Sequence, residues 1–207
     1  CDWSSDVCSF RSIENIKSKD YEITDITSKI YNRNPSGPFT TSTLQQSSSA
    51  KLGFGASRTM QLAQRLYQGI DIEGDSVGLI TYMRTDGTNI SNEVIPFFRS
   101  YIENNFGKEY LPNQPLNYSG KKSKNAQEAH EAIRPTDINR SLAELKKYLS
   151  SDQFKLYNLI WSRALSSQME PAKFDRKTIL IASKDGSNKF KANGSVIKFD
   201  GFLKLYK

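Results

Sequence analysis

The chain has 207 residues, 37% hydrophobic and 25% charged, a balance that suits a soluble globular protein of one domain or one and a half. Its net charge of +7 makes a polyanionic partner plausible. No apolar run approaches the roughly 18 residues of a membrane span, and no basic start leads into an apolar signal segment. The two cysteines, Cys1 and Cys8, lie at the extreme N-terminus, so the body has neither a disulfide framework nor a cysteine metal site. His130 is the single histidine, which excludes a multi-histidine metal centre.

The chain does not begin with Met. Its opening, Cys1-Asp-Trp-Ser-Ser-Asp-Val-Cys-Ser9, has no pattern that continues downstream. Residues 1–10 are therefore expected to be non-native, a translated adapter scar, on a piece of a longer protein. Residues 20–31 are rich in Ile, Tyr and Thr and predict a strand, with a bulge where the alternation changes phase. Asn32 to Pro38 reads as a turn or linker. A helix over Thr40–Leu52, capped by Thr41 or Ser42, and a second over Arg58–Gln68, capped by Ser57 and stopped by Gly69, follow from capping chemistry and helical spacing. The pair fits a helix-turn-helix and equally an ordinary helical hairpin. Its basic residues Lys51, Arg58 and Arg65 face either phosphates or solvent.

Asp71–Ser76 reads as a polar loop. Ser91 can cap a helix running to Asn105, although Pro96 would lie deep inside it, so the helix starts later or kinks. Gly107 stops it. Tyr110–Asn125, with two prolines and the Lys121-Lys-Ser-Lys124 cluster, predicts an exposed loop. Ala126–Ile133 predicts a short helix that Arg134-Pro135 limits. Gln127, Glu131 and Arg134 share one of its faces, with His130 adjacent. Leu142, Leu145 and Leu149 mark a short amphipathic helix, and Ser151 caps the longest one, Asp152–Met169. From Lys173 the period becomes two, with turn signals at Asp185–Asn188 and Asn193-Gly194. Strands therefore flank a helical block. The fold class is α+β: a helical domain, 38–170, inserted into a β-rich domain made of 11–37 and 171–207.

Between the second and third helices lies Gly78-Leu-Ile-Thr-Tyr-Met-Arg-Thr-Asp-Gly87. An apolar entry gives way abruptly to polar residues. If the backbone stays extended, Tyr82, Arg84 and Asp86 share one face and Met83 and Thr85 the other. A phenol with a pKa of about 10 is a poor nucleophile alone, but works beside a cation and a bound phosphate. Arg84 suits bidentate phosphate binding, and Asp86 could orient it. On spacing alone the same pattern describes a strand end with a surface ion pair. A lone histidine such as His130 likewise reads as a structural hydrogen-bond donor or as a phosphate contact.

Ile80-Thr-Tyr-Met-Arg-Thr-Asp86 resembles the active-site motif of type IA DNA topoisomerases. Two further stretches resemble the same family in the same order. One is Pro38-Phe-Thr-Thr-Ser-Thr-Leu-Gln-Gln46 with Lys51-Leu-Gly-Phe-Gly55 and Ala63-Gln-Arg-Leu-Tyr67; the other is Gln127-Glu-Ala-His-Glu-Ala-Ile-Arg-Pro-Thr136. The resemblance implies a helical domain carrying the nucleophile on a β-rich arch, the two acting as a gate. It implies Tyr82 as nucleophile, Arg84 and His130 as phosphate ligands, and Thr85, Asp86, Gln127, Glu128 and Arg134 in support. DNA contacts are expected from Arg84, Lys51, Arg58 and Arg65. Gly87 stands where the family usually has Ser, a lost hydroxyl worth about 1 kcal/mol. The implied cofactor is Mg²⁺, held by an acidic Toprim domain; no Asp-x-Asp-x-Glu occurs here, so no metal ligand is expected in this chain. The implied partner is a single-stranded segment of negatively supercoiled DNA, with no membrane. The implied enzyme is a monomeric, cytoplasmic, nucleoid-associated isomerase. Met83 and the Ala129–Pro135 wording favour the topoisomerase I branch over the topoisomerase III and reverse gyrase branches. The alternative function is a non-catalytic module that binds single-stranded nucleic acid.

Overall fold

Alternating Ile, Thr and Tyr at the start of the chain form strand β1 (Tyr21–Arg33), which pairs in a three-stranded sheet with β4 (Ala172–Ser183) and β5 (Lys189–Phe199) in the order β1-β4-β5. The computed structural model describes residues 13–118 and 130–206, and the chain divides into two compact units. The expected non-native segment, 1–10, lies outside the described residues.

The first unit comprises residues up to Arg33 together with Lys173–Phe199. Strands β4 and β5 form an antiparallel hairpin closed by Ser183–Asn188. The Asp185 carboxylate accepts from the Ser187 amide (3.1 Å) and hydroxyl (2.8 Å), and Lys19 reaches it at 2.8 Å. The Lys19 bond, first among several donors, holds the Asp185 carboxyl well below the usual carboxylate range. Asn193-Gly194 is not a turn: both residues stay in β5, opposite Thr178 and Lys177. Turn chemistry is a local preference, and here the ladder with β4 overrides it. The Thr178 hydroxyl donates to the Asn193 side chain at 2.9 Å. Tyr31 stacks on Phe174 with ring centroids 5.1 Å apart.

The second unit, Asn34–Ala172 with 200–206, holds most of the core. Residues 34–37, 171–172 and 200–206 thus pack with the helices rather than with the β-rich unit to which the sequence assigns them. Helix α1 (Thr41–Leu52) is capped by Thr40 in a reciprocal box with Thr43, not by Thr41 or Ser42, because Thr40 is the last extended residue. Gly53 ends it in the left-handed region, φ 69°. Helix α2 (Ala56–Gln68) begins at Gly55 without a side-chain cap, so Ser57 lies inside it. The expected polar loop after it is a two-strand hairpin, β2 (Ile70–Ile72) with β3 (Asp75–Val77). Glu73 (φ 56°) and Gly74 (φ 95°) give its turn the twist such hairpins require.

Helix α3 (Ile95–Phe106) starts four residues after Ser91, which puts Pro96 in the first turn where its missing N–H costs nothing. After Gly107 a single 3₁₀ turn spans Lys108–Tyr110. The short α4 (Leu142–Leu145) is capped by Ser141. The long α5 (Ser151–Ser166) is capped one residue earlier than expected, by Ser150 in a box with Gln153. Its buried face, including Leu156, Tyr157, Ile160, Trp161, Ala164 and Leu165, packs against α1 and α2. Helical spacing in the sequence predicts a buried stripe of Phe154, Tyr157, Ile160, Trp161, Ala164 and Leu165, and all of these are buried except Phe154, which is half-buried. The C-terminal residues form a 3₁₀ turn, Gly201–Lys204, instead of continuing the strand pattern, with Phe202 and Leu203 buried. No described helix is long and apolar enough to cross a membrane.

Tyr118 ties two loops of this unit together. Its hydroxyl lies 2.9 Å from the Ser167 carbonyl and 3.2 Å from that of Pro35. Burial pushes its pKa up to about 12, against the opposing pull of Arg163. A raised folded-state value means this contribution is complete below pH 10 and is lost as pH climbs through 12. Absorbance at 295 nm should therefore show several late-titrating tyrosines, Tyr110 and Tyr157 among them, and one fewer in Tyr118→Phe. That variant should lose about 1 kcal/mol in urea unfolding at neutral pH.

Candidate active site

The central stretch is held as one side of a short backbone ladder. Leu79 and Ile80 are buried, and Ile80 bridges Pro135 in antiparallel fashion. The Thr81 amide donates to the Arg134 carbonyl (2.9 Å), and the Thr136 amide to the Leu79 carbonyl (3.0 Å). The Thr81 hydroxyl donates to the Ala132 carbonyl at 2.7 Å and accepts from the Arg134 amide at 3.0 Å. The far end closes where the Ala132 amide donates to the Asn89 carbonyl, 2.9 Å. Residues 82–88 leave the ladder between these anchors.

This partner segment was expected to be helical over Ala126–Ile133. Residues 126–129, including Gln127 and Glu128, lie outside the described residues. From His130 to Ile133 the backbone is not helical, and Ile133 bridges Phe39. Helical density in Ala and Glu is outweighed by backbone pairing to two other segments.

Within the bulge the alternation expected of extended backbone holds. Met83, Thr85 and Gly87 are buried, Tyr82 is half-buried, and Arg84 and Asp86 are exposed. The Tyr82 ring meets His130 at 4.9 Å between centroids and Tyr67 at 5.4 Å, edge-on. His130 is itself exposed. Among the described residues, Tyr82, Arg84 and Asp86 make no side-chain hydrogen bond or ion pair. Asp86 therefore does not orient Arg84, although the two share a face. A half-buried phenol against an exposed imidazole, with an exposed guanidinium two residues further along the bulge, offers an oxygen nucleophile and two donors for an anion.

The support comes from elsewhere. The Thr41 hydroxyl lies 2.8 Å from the Met83 carbonyl and accepts from the Thr85 amide at 2.9 Å, and the Thr41 amide donates to the Thr85 carbonyl at 2.9 Å. The Thr85 hydroxyl accepts from the Gly87 amide, 2.9 Å. Arg134 is buried: it forks onto both oxygens of Glu131 (2.9 and 2.7 Å) and donates to the Pro135 carbonyl (2.8 Å). Glu131 also accepts from the Ser91 amide at 3.1 Å. Arg134 thus fixes the segment behind His130. Thr41, read from sequence as a helix cap, Tyr67, read as part of an apolar face, and Glu131 were all missed as site residues. Only the family-like wording around them marked their stretches.

Of the basic residues expected to meet DNA, Arg58 is ion-paired to Asp152 and lies over the Phe54 ring at 4.7 Å, and Lys51 lies 4.5 Å over the Tyr206 ring. Arg65 is exposed on α2, and Arg84 on the bulge. Among the described residues no three His, Cys, Asp or Glu side chains gather as a metal site.

The two ion pairs differ in burial, and their loss should differ in cost. Glu131→Ala strands a buried guanidinium and should cost about 3 kcal/mol in chemical unfolding. Arg58→Ala removes an exposed pair and should cost less than about 1 kcal/mol. Gly87 is set by close approach rather than by a lost hydroxyl. A Cβ there would press into the His130 carbonyl oxygen and crowd the Thr85 hydroxyl. Gly87→Ala should cost about 1–3 kcal/mol and shift the His130 ring resonances in NMR spectra, where a neutral effect would show that the segment yields freely.

The sequence profile of the DNA topoisomerase family matches residues 3–207. DNA topoisomerase 1 of Rickettsia felis is 50% identical over 194 residues, covering 94% of this chain and 25% of that protein. DNA topoisomerase 1 of Haemophilus influenzae is 46% identical, covering 94% of this chain and 21% of that protein. The full-length topoisomerase I of Thermotoga maritima, in its monoclinic crystal form, superimposes with a TM-score of 0.83 at 38% identity, over 95% of this chain and 31% of that one. The chain spans about a quarter of the length of these curated relatives. With its profile match running nearly end to end and its fold shared with a solved relative, the chain belongs to the type IA DNA topoisomerase family.

Proposed function

We propose that this chain is the tyrosine-bearing part of a DNA topoisomerase I that relaxes negatively supercoiled DNA without ATP. The observation that carries the reading is the Tyr82 ring against His130, with Arg84 exposed on the same face and unpaired among the described residues. The Tyr82 oxygen attacks the phosphorus of one DNA strand and gives up its proton. The bond from phosphorus to the 3′-oxygen breaks, and that oxygen leaves as a hydroxyl. The 5′-phosphate stays on Tyr82 as an ester of similar energy, so the reverse attack reseals the strand. Arg84 stabilises the charge that builds on the phosphoryl oxygens, and His130 donates to the same phosphate. Thr85, through its bond to the Gly87 amide, and Arg134, through Glu131, hold the two segments.

The substrate is a single-stranded stretch of the duplex, which negative supercoiling supplies. The whole enzyme acts as a cytoplasmic, nucleoid-associated monomer. Its Mg²⁺ is held by a Toprim domain, and no residue of this chain is assigned to the metal. The alternative, a binding module without chemistry, is less well supported: two of its basic residues, Lys51 and Arg58, are engaged within the chain.

The test completes the chain with the Toprim half of a close relative. End-labelled single-stranded DNA and Mg²⁺ are added, and the reaction is quenched with detergent. Label should appear on Tyr82 and vanish in Tyr82→Phe, a loss beyond about 10³-fold. The 207 residues alone should bind single-stranded DNA weakly and leave a supercoiled plasmid unrelaxed. A folded, DNA-bound hybrid that takes no label would hand the chain to the binding-module reading.

A further inference from the structure

Arg84 must be aimed for the proposed chemistry, yet its side chain has no hydrogen bond or ion pair among the described residues, and Asp86 does not supply one. Its direction is therefore set by its backbone. That backbone is gripped on both sides by one residue of another element. The Thr41 hydroxyl reaches the carbonyl of Met83, just before Arg84, at 2.8 Å. It accepts from the amide of Thr85, just after Arg84, at 2.9 Å, and the Thr41 amide returns a bond to the Thr85 carbonyl.

A threonine hydroxyl has one proton to give and lone pairs to receive. The nearer carbonyl, that of Met83, takes the proton, and the Thr85 carbonyl, 3.1 Å from the hydroxyl, keeps the Thr41 amide as its donor. Both functions of the hydroxyl are thus spent across Arg84. Thr41 has no need to cap its own helix, because Thr40 does so. The buried side chains of Met83 and Thr85 anchor the same two residues from below.

We propose that Thr41 is a positioning residue for Arg84: its hydroxyl staples Met83 to Thr85 and so holds the intervening guanidinium outward, on the Tyr82 face. This rests on the reading of Tyr82 and Arg84 as the nucleophile and phosphate ligand. Thr41 acts through Arg84 and touches no substrate. Misplacing a transition-state ligand by about 1 Å costs on the order of 100-fold in rate while leaving ground-state binding nearly intact.

The experiment compares Thr41→Val, which keeps the shape and loses the hydroxyl, with Thr41→Ser, which keeps the hydroxyl. Both are made in the Toprim-completed chain. Covalent trapping should fall on the order of 100-fold in Thr41→Val, with oligonucleotide affinity changed less than roughly threefold, and Thr41→Ser should restore trapping. Trapping retained in Thr41→Val, equal loss in Thr41→Ser, or a parallel loss of affinity would each overturn the proposal. If Thr41→Val does not fold, Thr41→Ala is read by the same criteria. Hydrogen exchange in the 207-residue chain separates this proposal from the functional reading. If the unsubstituted hybrid traps nothing, the functional reading falls, while the staple still requires faster exchange of the Thr85 amide in Thr41→Val than in Thr41→Ser. Equal exchange would remove the staple as well.

Discussion

The site depends on the ladder between residues 79–81 and 132–136, closed at its far end by the Asn89 carbonyl. Backbone groups buried this deeply must be paired: Thr81 and Thr136 donate across the ladder, the Thr81 hydroxyl takes up the Arg134 amide and the Ala132 carbonyl, and the Leu79 and Ile133 amides reach out to Leu66 and Phe39. Because both ends of residues 82–88 are pinned, the bulge has little freedom. Its buried side chains at 83 and 85 then decide which way 82, 84 and 86 point. The tyrosine and the histidine approach each other because their segments are neighbours through this ladder, although 48 positions separate Tyr82 from His130 along the chain.

Charge is sorted by burial. Arg134 is buried and has its fork filled by Glu131, which turns it into a brace behind His130. Arg84 is exposed and carries no partner among the described residues, so water can solvate its charge. Burying an unpaired guanidinium would cost several kcal/mol, and leaving one exposed costs almost nothing. The same amino acid therefore serves as structure at 134 and as a candidate ligand at 84. Arg163 is a third case: it lies between aromatic neighbours, over Phe39 and Tyr206, and donates to the Gly37 carbonyl at 2.6 Å.

The β-rich unit has a different economy. Ile23, Ile26 and Ile30 on β1 and Val196 and Ile197 on β5 are all more than half exposed. The unit is held by its ladder, by aromatic pairs such as Tyr31 on Phe174, and by the Asp185 turn rather than by a deep core. The helical unit holds its core around α5, whose two-sided burial keeps α1 and α2, and hence Thr41 and Tyr67, in fixed relation to the bulge.

The sequence by itself determined the elements with strong local signals. Glycine stops at 69 and 107, the buried stripe of α5 and the alternation from Tyr82 to Asp86 follow from backbone sterics and periodicity, which act over a few residues. Three ordered motifs also identified the family. Cap positions moved by one residue because neighbouring hydroxyls compete for the same amides, and Thr40 and Ser150 prevailed by being the last extended residues. Tertiary structure alone decided that Asn193-Gly194 runs through a strand, that His130–Ile133 is not helical, and that Thr41 rather than Asp86 braces Arg84. Each of these depends on a hydrogen-bond partner far away in the chain, and local sequence carries no record of which distant carbonyl or amide will be within reach.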